Sequence, residues 1–564
     1  MIMLLNIAGA LLIAWLTTKL YSIVYNLFFS PLASFPGPKT VSTGWFKAYQ
    51  ELYLGRNWID VLRELHAVYG DVVRVGPNEL HFSSPSAYHE IYNNTNRWDK
   101  EPSLYHSFGE DRSSFGFLTY REAKQRKDVL SPLFSKRAIA DLQGSVKEKI
   151  SRLCQALERD YGRGDGEGGR RSSDMLFALR CFTLDTIMGY CFAKDVESTE
   201  AEDFQAPTVV AMDASLPGFV LFRHFDLIRR MVFSMPGWLT KLTNPALAGL
   251  VDLQELLGAQ VNEVVQNPAS LQTTSHPTIY HRLMDPEINK AAGVPSPGSL
   301  YEEAQALFFG GAESAANTAM IGIFHILRNP AIHARLLSEL QTVWKDEPDL
   351  TCPSPTCNST FTELEVIDNI NPNAGSFHCK SCTTPLISTE PASFIPSIDR
   401  LERLPYLTAI IKESLRLSPS VPAPLPRIVP STSGTTPTVI SNRTIPPGTI
   451  VGMSHLFVHS SPEIFFSPET FNPERWLQKE SGDDSGKSAA AALEKWLVAF
   501  SRGPRSCLGQ NLGMCELYFA FAVLFWKLDM ELDGTTEEDL RYRECFLPAF
   551  QRRHMRAFCR PVVR

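Results

Sequence analysis

The chain has 564 residues, a formal net charge of −7, and 44% hydrophobic against 20% charged residues, which excludes intrinsic disorder and fibrous repeats. With 54 Lys and Arg against 61 Asp and Glu, it offers no electrostatic reason to expect a nucleic-acid partner. Eleven cysteines, an odd count in mostly apolar settings, make no disulfide framework and suit reduced thiols.

From Met1 to Phe29 only Lys19 is charged, and Trp15, Tyr21 and Tyr25 supply interfacial anchors, so residues 1–29 read as a transmembrane helix. No basic stretch precedes the apolar run and no small-residue cleavage site follows it, so an uncleaved anchor is favoured over a signal peptide. Lys19 and Lys39 lie after the strongest apolar stretch, which places the body in the cytosol. Residues 30–39, with three prolines and a glycine, read as a stiff extended hinge, and the catalytic body occupies 40–564.

Helical patterns dominate the body, over 57–69, 121–142, 146–161, 173–192, 250–265, 299–328, 332–344, 406–417 and 508–528. Strand signals are few. A hairpin is predicted from 72–76 and 79–82, and a second pair from 439–440 and 450–453 about the turn Pro446-Pro447-Gly448. The class is mainly α with small β-sheets. Residues 162–174 and 481–490 read as loop insertions.

Ser299 and Glu302 have capping-box spacing and open a helix that can run to Arg328. In its middle stand Gly310-Gly311-Ala312-Glu313-Ser314-Ala315, where two adjacent glycines, each costing about 1 kcal/mol relative to alanine, need a reason. Residues 348–396 then carry Cys352-x4-Cys357 and Cys379-x2-Cys382, with His378 adjacent. That spacing fits a four-thiolate zinc ribbon, and equally a disordered insertion or a retained intron. Glu413 and Arg416 share one helical face at i, i+3. Cys507 stands immediately before the helix predicted over 508–528, whose first N–H groups can point at the sulfur and favour its thiolate.

Phe500-Ser-Arg-Gly503-Pro-Arg505-Ser-Cys507-Leu-Gly509 fits Phe-x-x-Gly-x-Arg-x-Cys-x-Gly at every specified position, and by it the chain resembles the cytochrome P450 family. The resemblance runs from the anchor to the C-terminus apart from the three insertions, and is nearest to fungal microsomal members of secondary metabolism. It implies that Cys507 is the axial ligand of haem b iron, that Phe500 packs near the thiolate, and that Gly503 and Gly509 let backbone approach the macrocycle. Arg505 and Arg427 then partner the propionates, and Lys127 stands where the family has an arginine, although its usual aromatic companion is replaced by Ala123. Glu413, Arg416 and Arg475, the last in Phe471-Asn-Pro-Glu-Arg-Trp476, correspond to a buried charge triad. Glu313 and Ser314 take the places of the acid and the alcohol that pass protons to bound dioxygen, serine standing where threonine is usual.

The implied activity is a monooxygenase using dioxygen and NADPH-derived electrons. Its redox partner is NADPH–cytochrome P450 reductase, with cytochrome b5 as a further donor, and its setting is the endoplasmic reticulum membrane. The expected substrate is a hydrophobic small molecule, terpenoid first and polyketide or alkaloid second, held between 98–117, 216–238, the Gly310 helix and 419–426, with Phe219, Phe222, Phe225, Phe233 and Phe309 in the walls. The alternatives are a haem-dependent isomerase or dehydratase and a non-catalytic haem-thiolate sensor.

Overall fold

A computed structural model of the protein describes residues 2–162, 171–345, 377–378, 385–386, 394–431, 437–477 and 489–562. The four-cysteine pattern and most of the two loop insertions lie outside the described residues.

Helix α1, Ile2–Phe28, carries exposed Leu11, Leu12, Ile13, Trp15 and Leu20, the condition of a helix whose partner is lipid, and is a candidate membrane anchor. After it the chain turns rather than extends. Leu32 is buried, the Pro36 carbonyl accepts from Arg74 N at 2.7 Å, and the hinge lies against the first sheet.

The body packs long helices about one core. These are α2 (Trp58–Tyr69), α3 (Tyr120–Leu130), α4 (Gln143–Tyr161), α5 (Met175–Phe192), α6 (Pro207–His224), α7 (Ala248–Gln266), α8 (Pro297–Ala312), α9 (Ser314–Arg328), α10 (Pro330–Lys345), α11 (Pro405–Leu417) and α12 (Gln510–Lys527). Helices α5 and α12 are apolar all round because they are buried on all sides. The length and composition of α5 would let it cross a membrane, yet it lies within the core. Gly322 lets α9, α11 and α12 meet: a Cβ there would stand 2.2 Å from Ser414 Oγ and 2.4 Å from Phe521 Cζ.

Three sequence expectations are corrected. The helix expected over 121–142 is broken by Pro132, which cannot donate to the ladder, and restarts as the short helix Lys136–Asp141 capped by Ser135. Helix α8 begins at Pro297 with Ser296 as its cap, because proline suits the first helical position. Ser299 and Glu302 serve Arg112 and Arg126 instead of capping. Finally, residues 439–440 pair with 443–444 around Ser441 and Asn442, both at positive φ, and not with 450–452.

The main sheet holds β1 (Val72–Gly76), β2 (Glu79–Phe82), β3 (Asp99–Lys100), β4 (Arg427–Ile428) and β5 (Ile450–Gly452) in the order β1-β2-β5-β4-β3. The predicted β1–β2 hairpin forms, with Val72 opposite Phe82. Strand β5 runs parallel to β2 and antiparallel to β4, and β4 pairs antiparallel with β3, which places Arg427 opposite Lys100.

Candidate functional site

A cavity of about 340 Å³ opens between α3, α8, α9, the 500–509 loop and the start of α12. Phe500, Arg505, Cys507, Gly509, Arg427, Lys127 and Ser314 all line it, so residues spread over nearly 400 positions converge on one cavity. A smaller cavity, about 150 Å³, lies against Lys47, Glu79 and Pro424 and holds none of the motif residues.

The 500–509 loop is closed by Cys507 N donating to the Phe500 carbonyl at 2.9 Å. Among the described cysteines Cys507 alone is exposed, and its surface faces this cavity. Burial within the fold raises the thiol's pKa, while the hydrogen bond from Gly509 N–H and the Lys127 charge act to lower it. Gly509 leaves the cavity clear, since a Cβ there meets nothing within 4 Å. Gly503 serves another purpose than expected: it does not line the cavity, and its φ of +77° and a Cβ position 2.6 Å from the Asn93 carbonyl oxygen tie it to a tight turn against backbone.

Four cations meet at one end of the wall. Arg427 donates to Tyr105 OH, Lys127 Nζ to the Ser506 carbonyl at 2.6 Å, and Arg505 Nη2 to the Leu118 carbonyl at 2.9 Å. Lys100, which sequence reasoning missed, donates to the Phe115 carbonyl. Among the described residues none of the four has a carboxylate partner, and Arg505 Nε is buried with no partner at all. Burial, then Arg505 and Arg427, push the Lys100 ammonium well below its usual range; burial and Arg427 bring Arg505 down to about 10. A thiol facing a cavity whose rim gathers unmatched cations can ligate a metal while the cations pair with anionic groups of the same ligand.

Across the cavity α8 and α9 are interrupted at Glu313, whose φ and ψ are −114° and −39°. Two hydroxyls take carbonyls at the break: Ser314 Oγ donates to Gly310 O at 3.1 Å and Thr183 Oγ1 to Ala312 O at 2.6 Å. Gly310 is open on its Cβ side, whereas a Cβ on Gly311 would stand 2.6 Å from Ile187 Cγ1, so the first glycine clears the cavity and the second permits packing on α5. Ser314 lines the cavity, but Glu313 does not. Glu313 is fully buried behind the wall, 3.3 Å from Arg180 Nη2, and burial raises its pKa against the pull of Arg180. Thr318, also lining the cavity, joins Ser420 at 2.7 Å and Ser418 at 3.2 Å in a hydroxyl chain that the sequence did not disclose.

Behind the loop the expected triad is assembled. Glu413 accepts from Arg416 Nη2 at 2.7 Å, Arg475 Nε at 3.0 Å and, unforeseen, Trp476 Nε1 at 2.9 Å. The triad reaches the loop through His459, whose Nδ1 donates to the Arg416 carbonyl at 3.0 Å while its Nε2 accepts from Val498 N at 2.9 Å. Burial, His455 and Arg416 keep that imidazole neutral, as the acceptor role requires.

The expected substrate walls hold only in part. The 98–117 segment, α8 and 419–426 contribute, but residues 216–238 do not, and of the five phenylalanines expected only Phe309 lines the cavity. Phe219 stands behind, 4.4 Å in centroid distance from Phe108. Phe108, Phe115 and Phe546 complete the wall; Phe546 sits at a φ of +78° in a C-terminal hairpin turn that carries no glycine signal.

The family described as Cytochrome P450 matches residues 36–366 and 389–549. The chain is 30% identical to cytochrome P450 monooxygenase flvC of Aspergillus flavus over 589 aligned positions, covering 98% of this chain and 95% of that protein. It is 29% identical to N-acetyltryptophan 6-hydroxylase ivoC of Emericella nidulans, over 95% and 93% of the two chains. Among solved structures, the crystal structure of the cytochrome P450DA heme domain shares its fold, with a TM-score of 0.64 at 15% identity over 94% of this chain and 98% of that one.

Proposed function

Because this chain belongs to the cytochrome P450 family, we propose that it is a membrane-tethered haem monooxygenase that hydroxylates or epoxidises a hydrophobic secondary metabolite. The single observation that carries the reading is Cys507 facing a largely apolar cavity that it shares with Ser314 and the unmatched cations.

These residues fit haem b: the orphaned Arg505 Nε and the carboxylate-free group of Lys100, Lys127, Arg427 and Arg505 suit two propionates, and Cys507 suits the iron. Bound there, haem supplies dioxygen activation and insertion of one oxygen atom into a C–H bond or across a double bond. The protein's part is to present Cys507 to the cavity, with the Gly509 N–H and Lys127 favouring its thiolate against burial, and to exclude water with Phe108, Phe115, Phe309 and Phe546. Ser314 Oγ holds a proton at the cavity wall, and Glu313, whose pKa burial raises against the pull of Arg180, passes protons from behind it. Among the described residues Glu313 Oε1 and both amide atoms of Asn317, one turn on, have no protein partner, which suits a water-filled route.

Ser314→Ala is therefore expected to raise NADPH consumption per product by a factor on the order of 10, less than losing a proton donor outright because Thr318 keeps a second hydroxyl in the wall. Oxygen uptake and product measured together check this, and unchanged coupling would remove Ser314 from the relay.

Electrons come from NADPH through a separate reductase, cytochrome b5 serving as an additional donor, and the body faces the cytosol from the endoplasmic reticulum membrane. The apolar α1 with Lys19 and Lys39 beyond its strongest stretch supports this placement. The test of the activity is labelled dioxygen. With NADPH and a fungal reductase one labelled oxygen atom is expected in the product; unlabelled product formed without NADPH would instead support the isomerase or dehydratase alternative.

A further inference from the structure

Four carboxylates crowd the contact between the loop after Phe108 and the first turns of α8, and three of them are matched. Asp111 pairs with Arg229 at 3.0 Å, Glu302 accepts from Arg112 Nε at 2.8 Å, and Glu303 pairs with Arg126 at 2.8 Å. The fourth, Glu110, has no hydrogen bond or ion pair to its carboxylate among the described residues. It is only 2% exposed, its Oε1 is buried without a partner, and it lines the large cavity. An ionised carboxylate in such a place is costly unless something pairs with it. The ammonium groups lining the same cavity are engaged elsewhere: Lys100 with the Phe115 carbonyl, Lys127 with the Ser506 carbonyl and Lys124 with Asp128.

The loop holds Glu110 rigidly. Its carbonyl accepts from Ser113 N at 3.1 Å and Ser113 Oγ at 2.8 Å, and Gly116 passes so close that a Cβ there would stand 1.8 Å from the Glu110 carbonyl oxygen. Beside it Phe108, Phe115 and Phe546 form a cluster with centroids 4.9 to 5.5 Å apart, ring faces of the kind that attract cations. We propose that Glu110 and this aromatic cluster form a subsite for the cationic nitrogen of an amine substrate. This rests on the monooxygenase reading and narrows its substrate to an apolar skeleton bearing a basic amine. The arrangement also sets a distance. Glu110 lies near Tyr301, Glu302 and Glu303, and Gly310 follows Glu303 by seven residues of α8, so the amine subsite stands roughly 10 Å along the helix axis from the Gly310 end of the cavity. The ordinary state of Glu110 agrees: burial and the neighbouring acids Glu303, Glu302 and Asp111 hold its carboxyl well above the usual range, a penalty that an arriving cation relieves.

The test uses the full-length haem-loaded protein and two probes, 4-phenylbutyl-trimethylammonium, which cannot ligate iron, and its uncharged tert-butyl isostere, with binding measured by equilibrium dialysis. The parent is expected to bind the cation at least about tenfold more tightly than the isostere, and E110Q to lose that preference while binding the isostere as before. A parent that retains its thiolate-type carbon-monoxide spectrum but shows no preference overturns the proposal, as does a preference that survives in E110Q. A parent lacking that spectrum overturns the monooxygenase reading itself, so the two failures are distinct.

Discussion

Cys507→Ser is expected to abolish the strongly red-shifted absorption band of the reduced, carbon-monoxide-bound protein and to cut turnover by roughly three orders of magnitude or more, about 4 kcal/mol of barrier. Serine is nearly isosteric, and the loop does not depend on the sulfur for its shape: the Cys507 N–H to Phe500 carbonyl bond and the positive-φ turn at Gly503 survive the change. What is lost is the soft, electron-donating ligand, since an alcohol neither ionises near neutral pH nor matches thiolate softness. The absorption spectrum of parent and variant, purified in parallel, decides the matter. A variant with an unchanged band would mean that another residue holds the iron.

The second large effect is expected at Glu413. This carboxylate is fully buried and accepts from two arginines, the Trp476 indole and Asn472 N. Glu413→Ala leaves Arg416 and Arg475 as buried charges facing only carbonyls, a loss of about 3 to 5 kcal/mol. The damage has a route to the cavity, because Arg416 positions His459 and His459 holds Val498 at the entry to the Cys507 loop. Both the thermal midpoint and the haem-to-protein absorbance ratio are expected to fall, and an alanine variant with full haem occupancy would contradict the assignment.

The loop motif and the Glu413–Arg416–Arg475 set were legible in the sequence because each depends on residue types at short or fixed spacing. What the sequence hid depends on tertiary partners. The interruption at Glu313 needs Thr183, Arg180 and the open side of Gly310, none of which leaves a periodic signal in 299–328. Lys100 becomes a cavity cation only through strand pairing with Arg427, more than 300 residues away. Phe546 reaches the cavity from a positive-φ turn where glycine would be expected. Within 216–238, Leu216, Phe219 and Val220 are buried, Phe219 standing as a second layer behind Phe108 and Phe309, whereas Leu227, Met231 and Trp238 are exposed. Apolar composition there distinguishes neither a cavity wall from a second layer nor a buried face from an exposed one.

The Arg74 guanidinium donates at 2.7 Å to the Asn26 carbonyl near the end of α1 and at 2.6 Å to the Pro77 carbonyl in the β1–β2 turn, and the Asn26 amide returns a bond to the Ser42 carbonyl at 3.1 Å. The anchor therefore meets the body through a bracket and not a swivel. Seated in lipid, α1 would hold the body at one height and one tilt over the bilayer. A redox partner confined to the same plane would then meet its docking face at a fixed elevation, in a search of two dimensions.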